Sequence, residues 1–319
     1  MAAAATPAGS AAAHPALAGL AVLERGWLSS NNVLVHAQRG DDGACLIDTG
    51  HVVEADRTVA LVRAALGAQP LARVLNTHLH SDHCGGNAAL QQGFGAAVLI
   101  PPGQADAVRA WDLSRLGHDD FGQRERFTIA ATIGPGERFR AGGRHWEALP
   151  APGHDPHSLM FFDAAAGVLL SADALWANGF GVVFPELVGE PGFGDVAAVL
   201  DAIEALPVRV VVPGHGAPFT DVGAALQRAR SRLAAYRADP ARHARHALKV
   251  LLKYHLMELR AQPLADLLQW AADASLVQRI WQRFGRVDSE SPAAWSEAFV
   301  AELCAGGALA LRDGVVHDL

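Results

Sequence analysis

The chain is short of three things that would each have placed it in a class. Cysteine is scarce: 319 residues contain only Cys45, Cys84 and Cys304, and no CxxC pair. That excludes a disulfide framework and a cysteine-built zinc finger. Long hydrophobic runs are absent, with none approaching the roughly 18 apolar residues of a membrane-spanning helix. Positive charge is in deficit, 26 Lys and Arg against 33 Asp and Glu, a formal net charge of −7. Such a balance argues against a surface broadly given over to nucleic acid. The phosphate-cradling GxxxxGK[ST] loop, the GxSxG nucleophile turn and a GxGxxG following a strand are also missing. What is abundant is histidine: fifteen, more than the twelve glutamates.

The length suits about two domains. Half the residues are hydrophobic and 18% charged, a globular composition with enough apolar mass for a core. Residues 1–18, MAAAATPAGSAAAHPALA, form a low-complexity stretch without Lys or Arg. A secretory signal needs a basic region before its apolar stretch, so this segment reads as a disordered tail on a cytoplasmic protein. From 19 to 221, short apolar runs alternate with helical stretches. NVLVHAQ (32–38) and ACLIDTG (44–50) read as paired strands around a GDDG turn. Residues 54–68 put Val59, Val62, Ala65 and Leu66 on one helical face, and ARVLNTH (72–78) reads as a buried strand. Residues 158–175 read as a hairpin, 195–206 as a helix and 208–216 as a buried strand ending in a Pro-Gly turn. Strands and helices alternating in this way predict an α/β core.

The texture changes at 222. Residues 222–286 carry helical patterns without strand signals, Ser291 and Pro292 mark a helix start, and 307–319 reads as a terminal hairpin. Residues 222–319 therefore form a helical, winged-helix-like appendage. Leu248, Leu251, Leu252, Leu256 and Leu259 recur at helical spacing, so this helix has an apolar partner. Packing of 244–260 over the active-site edge is expected, with Tyr254 and His255 reaching inward.

The chemistry concentrates in Asn76-Thr77-His78-Leu79-His80-Ser81-Asp82-His83-Cys84-Gly85-Gly86, where the strand hands over to a helix beginning near Gly85. Imidazole and carboxylate at this density suit zinc, iron or manganese. Three further elements stand at strand ends: Pro152-Gly153-His154-Asp155, Ser171-Ala172-Asp173-Ala174 and Pro213-Gly214-His215-Gly216. Glycines beside His154 and His215 permit tight turns that aim both rings at one point. Five histidines and two aspartates are enough for two metal ions sharing a carboxylate.

These motifs, in this order over about residues 20–220, strongly resemble the metallo-β-lactamase superfamily. The resemblance implies a four-layer αβ/βα sandwich with two divalent metal ions, zinc or else iron or manganese, at one edge between the sheets. Carried over by position, His78, His80 and His154 hold the first ion, Asp82, His83 and His215 the second, and Asp173 bridges them. Asp48 in Ile-Asp-Thr-Gly matches the family's early aspartate, which supports the site from behind. His157 and Cys84 are expected to be neighbours of the site, not ligands.

A metal-bridging hydroxide would attack the substrate, with Asp82 and Asp173 orienting it. The implied activity is hydrolysis of a thioester, ester or lactone in a small molecule. An aspartate at 173 with a full HxHxDH set resembles the glyoxalase II-like and lactonase branches more than the true β-lactamases. The basic C-terminal glutathione-binding pattern of glyoxalase II is not found. A mononuclear iron persulfide dioxygenase-like enzyme is one alternative, although that group's glycine- and arginine-bearing segment is not matched after Asp173. Residues 175–194, LWANGFGVVFPELVGEPGFG, are long and apolar enough to form a wall or lid. A second alternative is an RNA phosphodiesterase of the same superfamily. It would use the basic stripe Arg228, Arg230, Arg232, Arg237, Arg242, Arg245, Lys249 and Lys253, for which a solvated or docked helix face is the plainer reading.

Overall fold

The computed structural model describes residues 11–116 and 124–319. Two sheets face each other. The first orders β1 (Leu20–Leu23), β2 (Asn32–Val35), β3 (Ala44–Ile47), β4 (Leu71–Leu75), β5 (Ala97–Ile100) and β6 (Ala131–Thr132) side by side. Its β1–β2–β3 part is antiparallel and its β3–β4–β5–β6 part parallel. The second comprises β7 (Arg138–Ala141), β8 (Arg144–Pro150), β9 (Leu159–Asp163), β10 (Val168–Ala172) and β11 (Val210–Pro213), in the order β11-β10-β9-β8-β7. Only β10–β11 is parallel in it.

Strand alternation explains the layers. Val33 and Val35, Cys45 and Ile47, Phe161, Val168 and Leu170, and Val210 and Val212 point between the sheets into one core. Their neighbours Leu34, Leu46 and Val74 point outward onto α1 (Ala55–Leu66), α3 (Asn87–Phe94) and α4 (Ala105–Ala110). On the other side Met160, Phe162, Leu169 and Val211 meet α6 (Phe193–Ala205) and α7 (Val222–Ala238). Both faces of the central strands are thus apolar, which is why they read as continuous hydrophobic runs. The expected four-layer αβ/βα sandwich is the observed architecture.

Two packing observations bear on the expected boundaries at 18 and 222. Residues 1–10 of the expected tail lie outside the described residues, but Leu17 is buried in the core between the sheets, so the packed chain begins before Gly19. At the other end, α7 shares its core with α6, through Ala225, Leu226, Ala229 and Leu233. The change of packing partner therefore comes at Asp239, between α7 and α8 (Pro240–Leu259), and not at 222.

Beyond that point α8, α9 (Leu264–Asp273), α10 (Ser275–Ile280) and α11 (Pro292–Ala305) enclose their own apolar cluster. Ala244, Ala247, Leu248, Leu251, Leu252 and Leu256 form the α8 stripe, while Leu259 at its end is 49% exposed. Ser291 caps α11 by accepting the Ala294 N–H, with Pro292 at the first helical position. The terminal hairpin of β13 (Leu309–Arg312) and β14 (Val315–Asp318) gains a third strand, β12 (Ala261–Pro263). Helices beside a small antiparallel sheet agree with a winged-helix-like unit. This unit reaches back to the sandwich through α5 (Phe184–Val188), whose Leu187 joins Val182 in the α8 cluster.

Candidate metal centre

Every candidate ligand leaves the C-terminal end of a strand, at one edge of the sandwich. Asp48 follows β3, the 76–84 loop follows β4, His154 follows β8, Asp173 follows β10 and His215 follows β11. The 76–84 loop folds into a single helical turn, α2 (Ser81–Cys84), and α3 begins at Asn87, not at Gly85. Asp48 organises the loop: one carboxylate oxygen accepts the Thr77 N–H at 2.8 Å, the other the Thr77 hydroxyl at 2.8 Å. The Asn76 amide donates to the His83 carbonyl at 3.0 Å. Asp48 has φ 56° and Ala172, just before Asp173, has φ 47°. Left-handed non-glycine backbone costs energy, and here it turns two carboxylates toward the centre. Gly214 leaves room for Asp173: a Cβ there would lie 2.2 Å from Asp173 Oδ1.

Two groups of potential ligands result, His78, His80 and His154, and Asp82, His83, Asp173 and His215, with ligand atoms in each group within 4.8 Å of one another. His80 Nδ1 stands 3.1 Å from His78 Nε2 and 2.8 Å from His154 Nε2. Asp82 Oδ2 is 3.0 Å from His215 Nε2. Asp173 lies between the groups, with Oδ2 3.2 Å from His154 Nε2 and 3.5 Å from His83 Nε2 and Oδ1 3.9 Å from His215 Nε2. The Trp176 indole N–H donates to Asp173 Oδ1 at 3.2 Å.

The far sides of the rings show that the donor set fits a cation. His154 Nδ1 donates to the Val182 carbonyl at 2.6 Å and His215 Nδ1 to the Gly26 carbonyl at 3.1 Å. His83 Nδ1 faces Asp48 Oδ2 at 2.8 Å. The Thr77 hydroxyl spends its only hydrogen on Asp48, so at 3.1 Å it accepts from His78 Nδ1. Each of these rings therefore turns a lone pair inward. Converging lone pairs repel one another unless a positive charge sits among them.

The titration behaviour has the same cause. Burial would raise the Asp173 carboxyl, but the imidazoles of His83, His154 and His215 hold it well below the usual range. Burial would lower His83 and His215, yet the carboxylates around them push both upward, His83 strongly. His78, desolvated and facing other imidazoles, is pushed down.

The structure thus brings His78, His80, Asp82, His83, His154, Asp173 and His215 together, with Asp48 behind them. Cys84 points away, its thiol reaching the Leu79 carbonyl at 3.5 Å, and burial raises its pKa. His157 is exposed and belongs to neither group. Tyr254 reaches inward, its hydroxyl 2.7 Å from Ser81 Oγ, between His80 and Asp82 in sequence. His255 does not. One residue further round the helix, it stacks on Trp270 at 3.8 Å and donates to Gln262 Oε1 at 3.0 Å. Of the 175–194 loop, Trp176 and Phe184 border the centre, Phe184 edge-on to His80 and His154 at 5.1 and 5.4 Å. Sequence reasoning missed Trp27, 61% exposed yet parallel to the His215 ring at 5.5 Å. It also missed Arg124, which donates to the Leu79 carbonyl at 2.7 Å, and Asp155, 3.8 Å from His80 Nε2. Asp155 directly follows His154, a signal that was available; Trp27 and Arg124 have none in their local sequence.

The family described as the metallo-beta-lactamase superfamily matches residues 25–215. A hydroxyacylglutathione hydrolase of Rhizobium meliloti (strain 1021) is 28% identical over 114 residues, 36% of this chain and 38% of that protein. Another, of Anaeromyxobacter dehalogenans (strain 2CP-C), is 31% identical over 220 residues, 66% of this chain and 73% of that protein. The chain spans 36 to 50% of the length of the first three such relatives. A solved metallo-beta-lactamase family protein from Thermus thermophilus shares the fold, with TM-score 0.55 and 22% identity over 95% of this chain and 99% of that one. With the match running from 25 to the last of the gathered histidines at 215, the chain belongs to the metallo-β-lactamase superfamily.

Proposed function

We infer that the protein is a binuclear metal-dependent hydrolase that cleaves a thioester, ester or lactone in a small molecule in the cytoplasm. His78, His80 and His154 would hold one ion, and Asp82, His83 and His215 the other. Asp173 would be shared, and the ions would be zinc or a mixture with iron or manganese. The observation that carries this reading is the place of Asp173, one carboxylate within 3.2 to 3.9 Å of histidines from both groups. Divalent ions in such a site supply a water activated near neutral pH and polarise the bond to be cleaved. The chain's own groups do the rest. Asp82 and Asp173 would orient the attacking water. Trp176 fixes Asp173 by holding its Oδ1. Trp27, Trp176 and Phe184 give the centre an aromatic border that suits an apolar acyl or leaving portion. Helix α8 closes another side through Tyr254 and through Glu258, which faces His51 Nε2 at 2.8 Å. Among the described residues no helix is long and apolar enough to cross a membrane.

Thioesters head the substrate list because the named relatives are hydroxyacylglutathione hydrolases. Metal analysis of the purified chain, followed by a screen of thioesters, lactones, esters, phosphodiesters and β-lactams, tests the reading. Two ions per chain and chelator-sensitive cleavage of an acyl bond are expected. A single ion after full loading, or turnover confined to phosphodiesters, would overturn it.

A further inference from the structure

The basic stripe of 228–253 is mostly spent inside the molecule. Arg228 donates to the Ala177 carbonyl, Arg230 pairs with Asp201 and Glu204, and Arg237 donates to the Phe193 carbonyl. Arg245 pairs with Asp288, Lys249 with Glu302 and Lys253 with Asp318. Four of the eight thus pair with an acid and two donate to carbonyls; Arg232 and Arg242 make neither an ion pair nor a side-chain hydrogen bond among the described residues. An extended RNA backbone would use a row of cations without acid partners, whereas half of this stripe is paired with acids.

The two that remain converge. Both guanidinium groups lie close enough to Tyr236 to bear on its phenol, and both line a groove of about 890 Å³ in the corner between α7 and α8. The Tyr236 hydroxyl makes no hydrogen bond to a described residue, and Ser231 adds a second hydroxyl to the wall. Arg245 and Lys249 reach the same groove from α8. The single acid there, Asp239, is occupied: its side chain caps α8 by accepting the Arg242 backbone N–H at 3.3 Å. The groove therefore presents two guanidinium groups without an acid partner and two hydroxyls, with Arg245 and Lys249 already paired to Asp288 and Glu302 and the Asp239 carboxylate in its wall. It is separate from the metal centre. On α8 it uses Arg242, Arg245 and Lys249, whereas Tyr254 faces the turn that carries Asp82 and His83. Between the two sites lies the turn at Trp176–Gly179: a Cβ on Gly179 would lie 2.5 Å from Arg232 Nη1.

We propose that the α7–α8 corner is a binding site for a phosphate-bearing small molecule of nucleotide size, held by Arg232 and Arg242 with the Tyr236 hydroxyl as a further donor. Guanidinium groups match phosphate oxygens in pairs, and two that have no internal partner can be neutralised only by a ligand or by solvent ions. The volume is that of a small-molecule site. Because the ligand is bounded by one groove, binding saturates at one molecule per chain.

Isothermal titration of the full, metal-loaded chain with ADP, with inorganic pyrophosphate and with a single-stranded oligoribonucleotide tests this. One ADP per chain is expected, weakened at least about tenfold by Arg232→Gln or Arg242→Gln and unchanged by Arg230→Gln, whose partners lie on α6. Pyrophosphate should bind with the same sensitivity. Arg242 is exposed, so its variant stays informative even if Arg232→Gln fails to fold. Absence of ADP binding would overturn the proposal. So would ADP or pyrophosphate binding that both variants leave intact, since the anion would then sit at the metal ions. Tight binding of the oligoribonucleotide without ADP binding would overturn it in favour of RNA.

Discussion

Histidine does two different jobs in this molecule, and the contrast between the strand-end loops and helix α8 shows how to tell them apart. In the loops, His78, His83, His154 and His215 each commit one ring nitrogen to the scaffold and turn the other toward a shared centre. On α8, His243 accepts the Val183 N–H at 3.1 Å and packs beside Phe193 and Tyr236. His255 lies flat on Trp270. These rings have partners but no common focus. Electrostatics divides them only in part: carboxylates raise His83 and His215, whereas burial lowers His78 in the loop as it lowers His243, the latter to about 3. A buried histidine is a candidate ligand when its second nitrogen points at other donors, and a packing residue when it does not.

The largest expected effect comes from removing the group on which the loop histidines converge. Asp173→Ala should lower kcat by about a thousandfold or more, as expected when a bridging ligand is lost, and should release metal in a chelator competition. Cys84→Ser and His157→Gln should leave metal content unchanged. Equal metal loss from Cys84→Ser would mean that the focus has been misplaced.

A smaller effect is expected one layer further out. Asp48→Asn keeps the shape but weakens the hold on Thr77 and His83, so metal affinity should fall about 10- to 100-fold. Competition against a fluorescent chelator would measure it. An unchanged affinity would show that Asp48 supports folding of the loop and not its ligands.

What was legible in the sequence follows from these same constraints. A metal centre demands particular residue types within a few positions of one another, so His78, His80, Asp82 and His83 announce themselves, and the strand ends place His154, Asp173 and His215. The α8 leucines were legible because a helix repeats its buried face every three or four residues. Trp27, Arg124 and β12 were not. Their roles arise from contacts with distant segments, and a three-residue strand holding Pro263 is too short to show alternation. The limit near 222 marks where strand signals end, whereas α7 packs by its partners, and Ala225 and Leu233 sit in the sandwich's outer layer.

The packing histidines should show themselves in acid. His243 has a folded pKa of about 3 against about 6.5 when unfolded. Above pH 6.5 its contribution is fully present. As pH falls toward 3 the unfolded chain takes up the proton first, and stability is lost at about 1.4 kcal/mol per pH unit. Between pH 6.5 and 5 that amounts to about 2 kcal/mol. Protonation would also destroy the acceptor for the Val183 N–H. His255, likewise lowered by burial, pulls in the same direction. Urea unfolding of the chain should therefore weaken over this range, and His243→Gln should flatten the slope by one proton. A variant with the original slope would remove His243 from the packing class.

The finest test lies within α8 itself, where neighbouring residues divide between the two classes. Tyr254 sends its hydroxyl to Ser81, in the turn that carries Asp82 and His83, whereas His255 faces Trp270. Burial and the Asp82 carboxylate both raise the Tyr254 pKa, so the phenol keeps its proton and its hydrogen bond through neutral pH. Tyr254→Phe leaves the ring in place and removes one hydrogen bond, a loss of about 1 kcal/mol. If that bond sets the position of the Ser81 turn, kcat/KM should fall about fivefold, with little change in Tm. His255→Phe should do the reverse, moving Tm through the Trp270 stack and Gln262 while leaving kcat/KM alone. Steady-state kinetics and thermal unfolding of both variants would decide. Equal behaviour of the two would mean that α8 meets the metal loop only as a wall.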